Sequence, residues 1–287
     1  MTYIIIAVFN RKLFTRNCLN SLRKQTVKDF ITIVIDDGST DGTAEMIKNE
    51  FPEVTLLHGN DSLWWAGGTN IGVKYALKSG ANYIMTLNDD TITNIDFIEK
   101  MLYWSKKKPK AILGAFALDT ETKRPVYGGH IINWLTASYK PLIDHLAIDQ
   151  QVGLREVTQL PGRGLLIPAE VFRKIGLFDE KNFPGLLADY DFTHRAIKAG
   201  YRAFCNYDAK LLIYPDESGQ EQLRKVKSLK NYFNHLFGIT GGGNLKRFII
   251  YTFKNCPKIY LIPFLLIGLS KRALGYLFDW LREMVKR

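Results

Sequence analysis

The chain has 287 residues, enough for one large α/β domain with an appendage. Its hydrophobic content of 46% is ordinary for a globular protein, and three scattered cysteines (Cys18, Cys205, Cys256) argue against a disulfide framework or a zinc site. The net charge of +11 is uneven: residues 219–287 carry 13 Lys or Arg against 3 Asp or Glu, while residues 1–218 carry 26 against 25.

Tyr3–Phe9 is almost continuously apolar and reads as a buried strand, too short and too uncharged at its start for a signal peptide. Leu13–Lys24 has helical spacing, Ile31–Ile35 is a second buried strand, and DDGSTDG supplies turn and cap chemistry before a helix over Thr43–Phe51. Val54–Leu57 is a third strand, followed by a glycine-bearing loop and a helix near Thr69–Lys78. Tyr83–Leu87 is a fourth strand ending in Asn88–Asp90, with a helix from about Ile95 to Trp104. This alternation predicts a mostly parallel sheet with helices on both faces. Ligands on such sheets bind at the carboxyl ends of strands, so Asp36–Asp37 and Asn88–Asp90 should converge.

The middle is less regular. Ala111–Phe116 reads as a strand, Lys123–Asn133 as a hairpin or loop, Pro168–Ile175 and Asp189–Ala199 as helices, and Arg202–Cys205 and Leu211–Tyr214 as short strands. The tail differs in kind. Gln220–Leu236 has the pattern of a basic amphipathic helix, and Gly241–Gly243 breaks it. The longest uncharged apolar stretch beyond, Ile259–Leu269, has 11 residues and contains Pro263. Spanning a bilayer takes about 20 apolar residues, so the expectation is a helix lying in a membrane interface.

Several side chains carry candidate chemistry. Asp89 and Asp90 at a sheet edge are hard oxygen donors suited to Mg²⁺ or Mn²⁺ shared with phosphates. Asp36 and Asp37 could accept hydrogen bonds from a nucleoside. Gly67 and Gly68 would let a diphosphate approach a helix N-terminus, with Trp64 and Trp65 lining a sugar or base pocket. Asp189 or Asp191 could take a proton from an acceptor hydroxyl. Taken one at a time, turns, caps and core packing explain these residues as well. The five histidines show no ligand spacing.

In order along the chain, AVFNR (Ala7–Arg11), VIDDGSTDGT (Val34–Thr43), LWWAGGTNIG (Leu63–Gly72), LNDD (Leu87–Asp90), PGRGLLIPAEVFRKIGLFDE (Pro161–Glu180) and ADYDFTHRA (Ala188–Ala196) resemble the family 2 glycosyltransferases. The resemblance covers roughly residues 1–215, and the WW-A-GG-x-N form is most similar to bacterial enzymes of cell-surface polysaccharides, rhamnosyltransferases among them. It implies a GT-A fold over 1–218, a Rossmann-like mostly parallel sheet, with 219–287 as a basic, apolar helical extension. It implies a donor site of Phe9, Arg11, Asp36, Asp37, Gly67, Gly68, Asn70, Asn88 and Asp89, and a metal, Mg²⁺ or Mn²⁺, on Asp90 and Asp89. Asn88 replaces the first acid of the family's Asp-x-Asp. Asp189 matches the expected base, Ala188 replaces the preceding glutamate, and Asp191 stands in reserve. Arg163 or Arg195 would offset developing negative charge.

The implied reaction is inverting transfer from a UDP- or dTDP-sugar, such as dTDP-rhamnose, to a glycan or polyprenyl-linked acceptor. The expected place is the cytoplasmic face of the cell membrane, peripherally bound. The alternative is a non-catalytic nucleotide-sugar or polyanion-binding protein. The tail's apolar content favours a membrane surface over nucleic acid, and a homodimer through the tail stays open.

Overall fold

A computed structural model describes residues 1–215 and 227–286. The chain opens with β1 (Thr2–Val8), buried along nearly its whole length, then α1 (Lys12–Arg23), β2 (Phe30–Asp36), α2 (Thr43–Glu50), β3 (Thr55–His58), α3 (Trp64–Lys78) and β4 (Tyr83–Asn88). β1 is apolar on both faces because it lies inside a sheet covered on both sides, with β2 and β4 paired to it in parallel. The register sets Val8 against Asp36 and Ala7 against Asn88. The two polar clusters therefore flank the carboxyl end of β1, as the alternation predicts.

After the short β5 (Thr91–Thr93) and α4 (Phe97–Lys107) come β6 (Ala111–Asp119), β7 (Pro125–Tyr127), β8 (His130–Asn133), β9 (Ser138–Pro141), β10 (Leu154–Glu156) and β11 (Leu165–Pro168). α5 (Ala169–Ile175), α6 (Ala188–Lys198) and β12 (Arg202–Ile213) follow. The main sheet runs β10-β12-β6-β11-β4-β1-β2-β3, with β5 against β12 and β7 against β6. β11 is antiparallel to both β4 and β6, so it joins the parallel half to the second half of the sheet. β12 is one strand rather than two: a register shift between Asn206 and Lys210 bends it without ending it.

α3 begins at Trp64, ahead of the expected Thr69. A Cβ on Gly68 would stand 3.0 Å from the Ala7 Cβ, and one on Gly72 would stand 2.5 Å from Ile5 Cγ2. The glycines lower helix propensity but let α3 lie directly on β1, and that packing decides the local structure.

The expected boundary at 218/219 and the first residues of the expected helix over Gln220–Leu236 lie outside the described residues. The described tail holds α7 (Leu229–Phe237), α8 (Leu245–Asn255) and α9 (Leu261–Lys286). Phe248 and Tyr251 of α8 and Phe264 of α9 are buried in the same apolar core as the sheet. The Phe264 ring lies 4.9 Å from Trp134, which lies 5.2 Å from His194 on α6. Gln159 Nε2 donates to Tyr251 Oη at 2.8 Å. Burying each such ring contributes roughly 2 kcal/mol.

The expectation that the tail falls short of spanning length does not hold. Pro263 sits in the first turn of α9, where its missing N–H costs nothing, and Lys258–Arg282 is long and apolar enough to cross a membrane by length and composition. One face is nevertheless docked: Lys271 Nζ donates to the Thr136 carbonyl at 2.9 Å, and Arg272 lies 3.6 Å over the Phe248 ring. The opposite stripe, Ile262, Leu266, Leu274, Phe278 and Leu281, is exposed.

Candidate functional site

At the carboxyl end of the sheet, Arg11 precedes α1 and reaches both acids after β4: its Nε is 3.2 Å from Asp89 Oδ2 and its Nη2 is 3.1 Å from Asp90 Oδ2. Burial pushes the Asp89 carboxyl up to about 7, Arg11 opposing the shift and Asp90 adding to it. Asn88 Oδ1 accepts from Trp65 Nε1 at 3.1 Å, which fixes the indole beside the strand end.

Two adjoining cavities open here and share Trp65, Gly185 and Leu186. The first, about 390 Å³, is walled by Phe9, Arg11, Asp37, Trp64, Ile239 and Thr240 among others. Asp37 Oδ2 accepts from the Leu63 and Trp64 amides at 2.7 and 3.3 Å, while its buried Oδ1 has no hydrogen-bond partner among the described residues. A buried carboxylate oxygen left unpaired is costly unless a ligand donor completes it. Asp36 lies behind this wall, and its Oδ1 accepts from the Ser39 amide at 3.0 Å.

The second cavity, about 220 Å³, is lined by Asn88, Gly162, Arg163, Asp189 and Tyr190, and by Gly241, Asn244, Arg247 and Arg272 of the tail. Asp189 Oδ2 accepts from the Gly162 amide and Oδ1 from the Tyr190 amide, both at 2.9 Å. Burial raises its pKa, opposed by these bonds and by the Arg163 charge. Two non-glycine residues that line these cavities, Trp64 and Leu187, hold left-handed φ of 55° and 73°. Such conformations cost about 1–2 kcal/mol each and gather at functional sites.

The remaining expected site residues lie elsewhere. Asp191 is fully buried, 2.8 Å from Arg195 Nε and 3.2 Å from Lys254 Nζ, with Asn255 Nδ2 donating to it at 3.0 Å. It ties α6 to α8 and is out of reach as a base. Arg195 is spent on that pair and on the carbonyls of Ile175 and Leu177. Asn70 is buried and pins the chain near Phe178, donating to its carbonyl at 2.9 Å and to Glu180 Oε2 at 2.6 Å. Gly67 and Gly68 are buried inside α3 rather than in a loop ahead of it, so they face packing contacts and not a ligand. The tail's Arg247 and Arg272 escape sequence reasoning, because no local motif marks a side chain that reaches the site by tertiary docking. The loop Gly185–Leu187 sits just ahead of Asp189, and that adjacency was a readable signal.

A family model described as Glycosyl transferase family 2 matches residues 3–167, more than half of the chain. The chain belongs to that family. The O-antigen chain rhamnosyltransferase RfbN of Salmonella typhimurium is 23% identical over 95% of this chain and 87% of its own length. The dTDP-rhamnosyl transferase RfbF of Shigella flexneri is 26% identical over 75% of this chain and 66% of its own. An uncharacterized glycosyltransferase of Rickettsia conorii is 26% identical over 82% of this chain, which spans 37% of that relative's length. A crystal structure of GalNAc-T7 with UDP, GalNAc and Mn²⁺ superposes with a TM-score of 0.61, at 14% identity, over 82% of this chain and 50% of that one. The family 2 chain thus has the GT-A fold that its motifs imply.

Its fit to a divalent metal rests on the donor set. No group of three or more His, Cys, Asp or Glu suited to a metal occurs among the described residues. Asp89 and Asp90 are two hard carboxylates side by side, and the buried Asp89 Oδ2 meets Arg11 as a charge contact rather than a hydrogen bond. Mg²⁺ is commonly held by one or two carboxylates plus substrate phosphates, so this pair fits a metal completed by the donor and not a protein cage.

Proposed function

We propose that the chain is an inverting glycosyltransferase that moves a sugar from a UDP- or dTDP-sugar, dTDP-rhamnose among them, to a hydroxyl of a glycan or lipid-linked acceptor in surface polysaccharide synthesis. The observation that carries this reading is a pair of adjoining cavities, one lined by Phe9, Asp37 and Trp64 and the other holding a basic carboxylate, Asp189. Uracil and thymine each present an imide N–H that the Asp37 carboxylate can accept, with Phe9 and Trp64 as flanking aromatic surface. Asp189, its pKa raised by burial, takes the proton of the acceptor hydroxyl as that oxygen attacks the anomeric carbon from the face opposite the leaving group. The two amides on Asp189 hold it in place for that step. Arg11 lines the same cavity as Asp37 and pairs with both Asp89 and Asp90. A divalent cation on Asp89 and Asp90 would neutralise the leaving diphosphate. The rhamnosyl relatives support the donor class.

The exposed apolar stripe of α9 and the surplus of basic residues in the tail support peripheral binding at the cytoplasmic face of an anionic membrane. The reaction is tested by a screen of UDP-, dTDP- and GDP-sugars with Mg²⁺ or Mn²⁺, read as released nucleoside diphosphate. Release with a UDP- or dTDP-sugar, and its loss in EDTA, is the expected result. Release from GDP-sugars alone, or full turnover in EDTA, would overturn the donor or the metal assignment respectively.

A further inference from the structure

The cavity that holds Asp189 has an uneven charge. Three arginines, Arg163, Arg247 and Arg272, line it, against one acid, Asp189. None of the three forms an ion pair with a carboxylate among the described residues. Arg163 Nε is buried without a hydrogen-bond partner. Arg247 is buried and gives one donor to the Ile239 carbonyl. Arg272 is packed over Phe248 and gives donors to the Gly268 carbonyl, at 3.2 Å, and to Tyr139. A guanidinium has five N–H donors, so each keeps donors in reserve. Grouping desolvated like charges is unfavourable unless an anion joins them. Burial already pulls the Arg247 and Arg272 pKa values down.

The donor's phosphates are assigned to the divalent cation proposed on Asp89 and Asp90, beside Arg11 of the other cavity. Arg163, Arg247 and Arg272 lie instead on the side of the candidate base, where the acceptor must enter. We propose that these three arginines form an anion site for a phosphate or diphosphate carried by the acceptor molecule. This rests on Asp189 marking the acceptor side, as in the reaction proposed above. Two of the three come from α8 and α9, so the tail completes the acceptor site as well as offering an apolar stripe. A prenyl diphosphate supplies both chemistries, an anion for the arginines and an apolar chain for the membrane proposed above.

The test uses the full chain with its nucleotide site saturated by UDP or dTDP and Mg²⁺, titrated calorimetrically with inorganic pyrophosphate, geranyl diphosphate and geraniol. Geranyl diphosphate should bind in the presence of the nucleotide, and geraniol should not. Tighter binding of geranyl diphosphate than of pyrophosphate supports a lipid-linked acceptor; equal binding supports a soluble phosphorylated one. Arg163→Gln and Arg272→Lys should weaken the anion about tenfold or more. Separate titration of the nucleotide reports that each variant is folded, and Arg163, in a loop without hydrogen bonds from its Nε, carries the test if Arg272→Lys is unstable. The proposal is overturned if saturating nucleotide displaces the anion, which would assign the arginines to the donor's diphosphate. It is also overturned if neither anion binds, or if folded Arg163→Gln binds it as the native chain does. Failure of the native chain to bind any nucleoside diphosphate would instead sink the transferase reading itself.

Discussion

Two aspartates two positions apart, Asp189 and Asp191, show how little a local motif says about role. Both occupy the first turn of α6. The first faces a cavity and holds two backbone amides; the second faces α8 and holds two cations. Asp189→Asn keeps the shape and removes the basicity, so turnover should fall by about 10² or more with nucleotide affinity nearly unchanged. Asp191→Asn leaves Arg195 without its carboxylate and Lys254 with one of its two, Asp179. It should cost roughly 2–4 kcal/mol of stability, less than for a wholly dry pair because both cations reach solvent, and spare most of the turnover of the folded fraction. Steady-state kinetics and denaturant melts on both variants check this; the reverse pattern would exchange the two assignments. Asp37, Asp89 and Asp90 were legible because strand ends are readable from apolar runs. Arg247 and Arg272 were not, since nothing within a few residues of either distinguishes a site arginine from the tail's other basic residues.

Among the elements, the parallel half of the sheet followed from short, continuous apolar runs broken by turn residues, a pattern fixed by burial on both faces. The start of α3 was missed because Gly67 and Gly68 resemble a loop until the nearness of Ala7 is known. β11 was missed because a four-residue strand running into a helix leaves no period to read. α9 was read as too short because Lys271 and Arg272 interrupt its apolar sequence, yet Arg272 packs on Phe248 and Lys271 is tied at the surface to the Thr136 carbonyl. Its outer stripe gives the membrane test a target that leaves the site intact. Leu266 and Phe278 are 60% and 58% exposed. The double variant Leu266→Glu, Phe278→Glu should keep the native melting temperature and lose sedimentation with anionic liposomes. If sedimentation persists, the stripe is not the lipid contact. If a native dimer becomes a monomer with lipid binding unchanged, the stripe is a subunit interface.

At the scale of the whole molecule, an aromatic and imidazole cluster is among the contacts that fasten the tail to the sheet domain, and it gives the chain a dependence on pH. His194 of α6 is buried between Trp134 and Tyr251, and burial lowers its pKa to about 4 from the ordinary 6.5. The folded state therefore holds a neutral ring where the unfolded chain would bind a proton. The stability this contributes is complete above pH 6.5 and is lost as pH falls toward 4. Asp179, at the same junction, does not act in that window, because Asn182 and Lys254 outweigh its burial and hold it below its usual range, so its loss comes at lower pH. Since Phe248, Tyr251 and Phe264 share the sheet's core, the response should be global, with tail and sheet unfolding together. The buried Asp89 carboxyl, raised to about 7, adds stability as pH falls and opposes His194 in the same window. Thermal melts from pH 7.5 to 4.5 should therefore show one transition, and the native midpoint should fall relative to that of His194→Phe, which keeps a ring but cannot ionise, as pH drops below 6.5. An unchanged acid slope in His194→Phe would remove the imidazole as its cause. Two separated transitions would mean that the tail folds as its own unit, and the wall it lends to the acceptor cavity would then open before the sheet does.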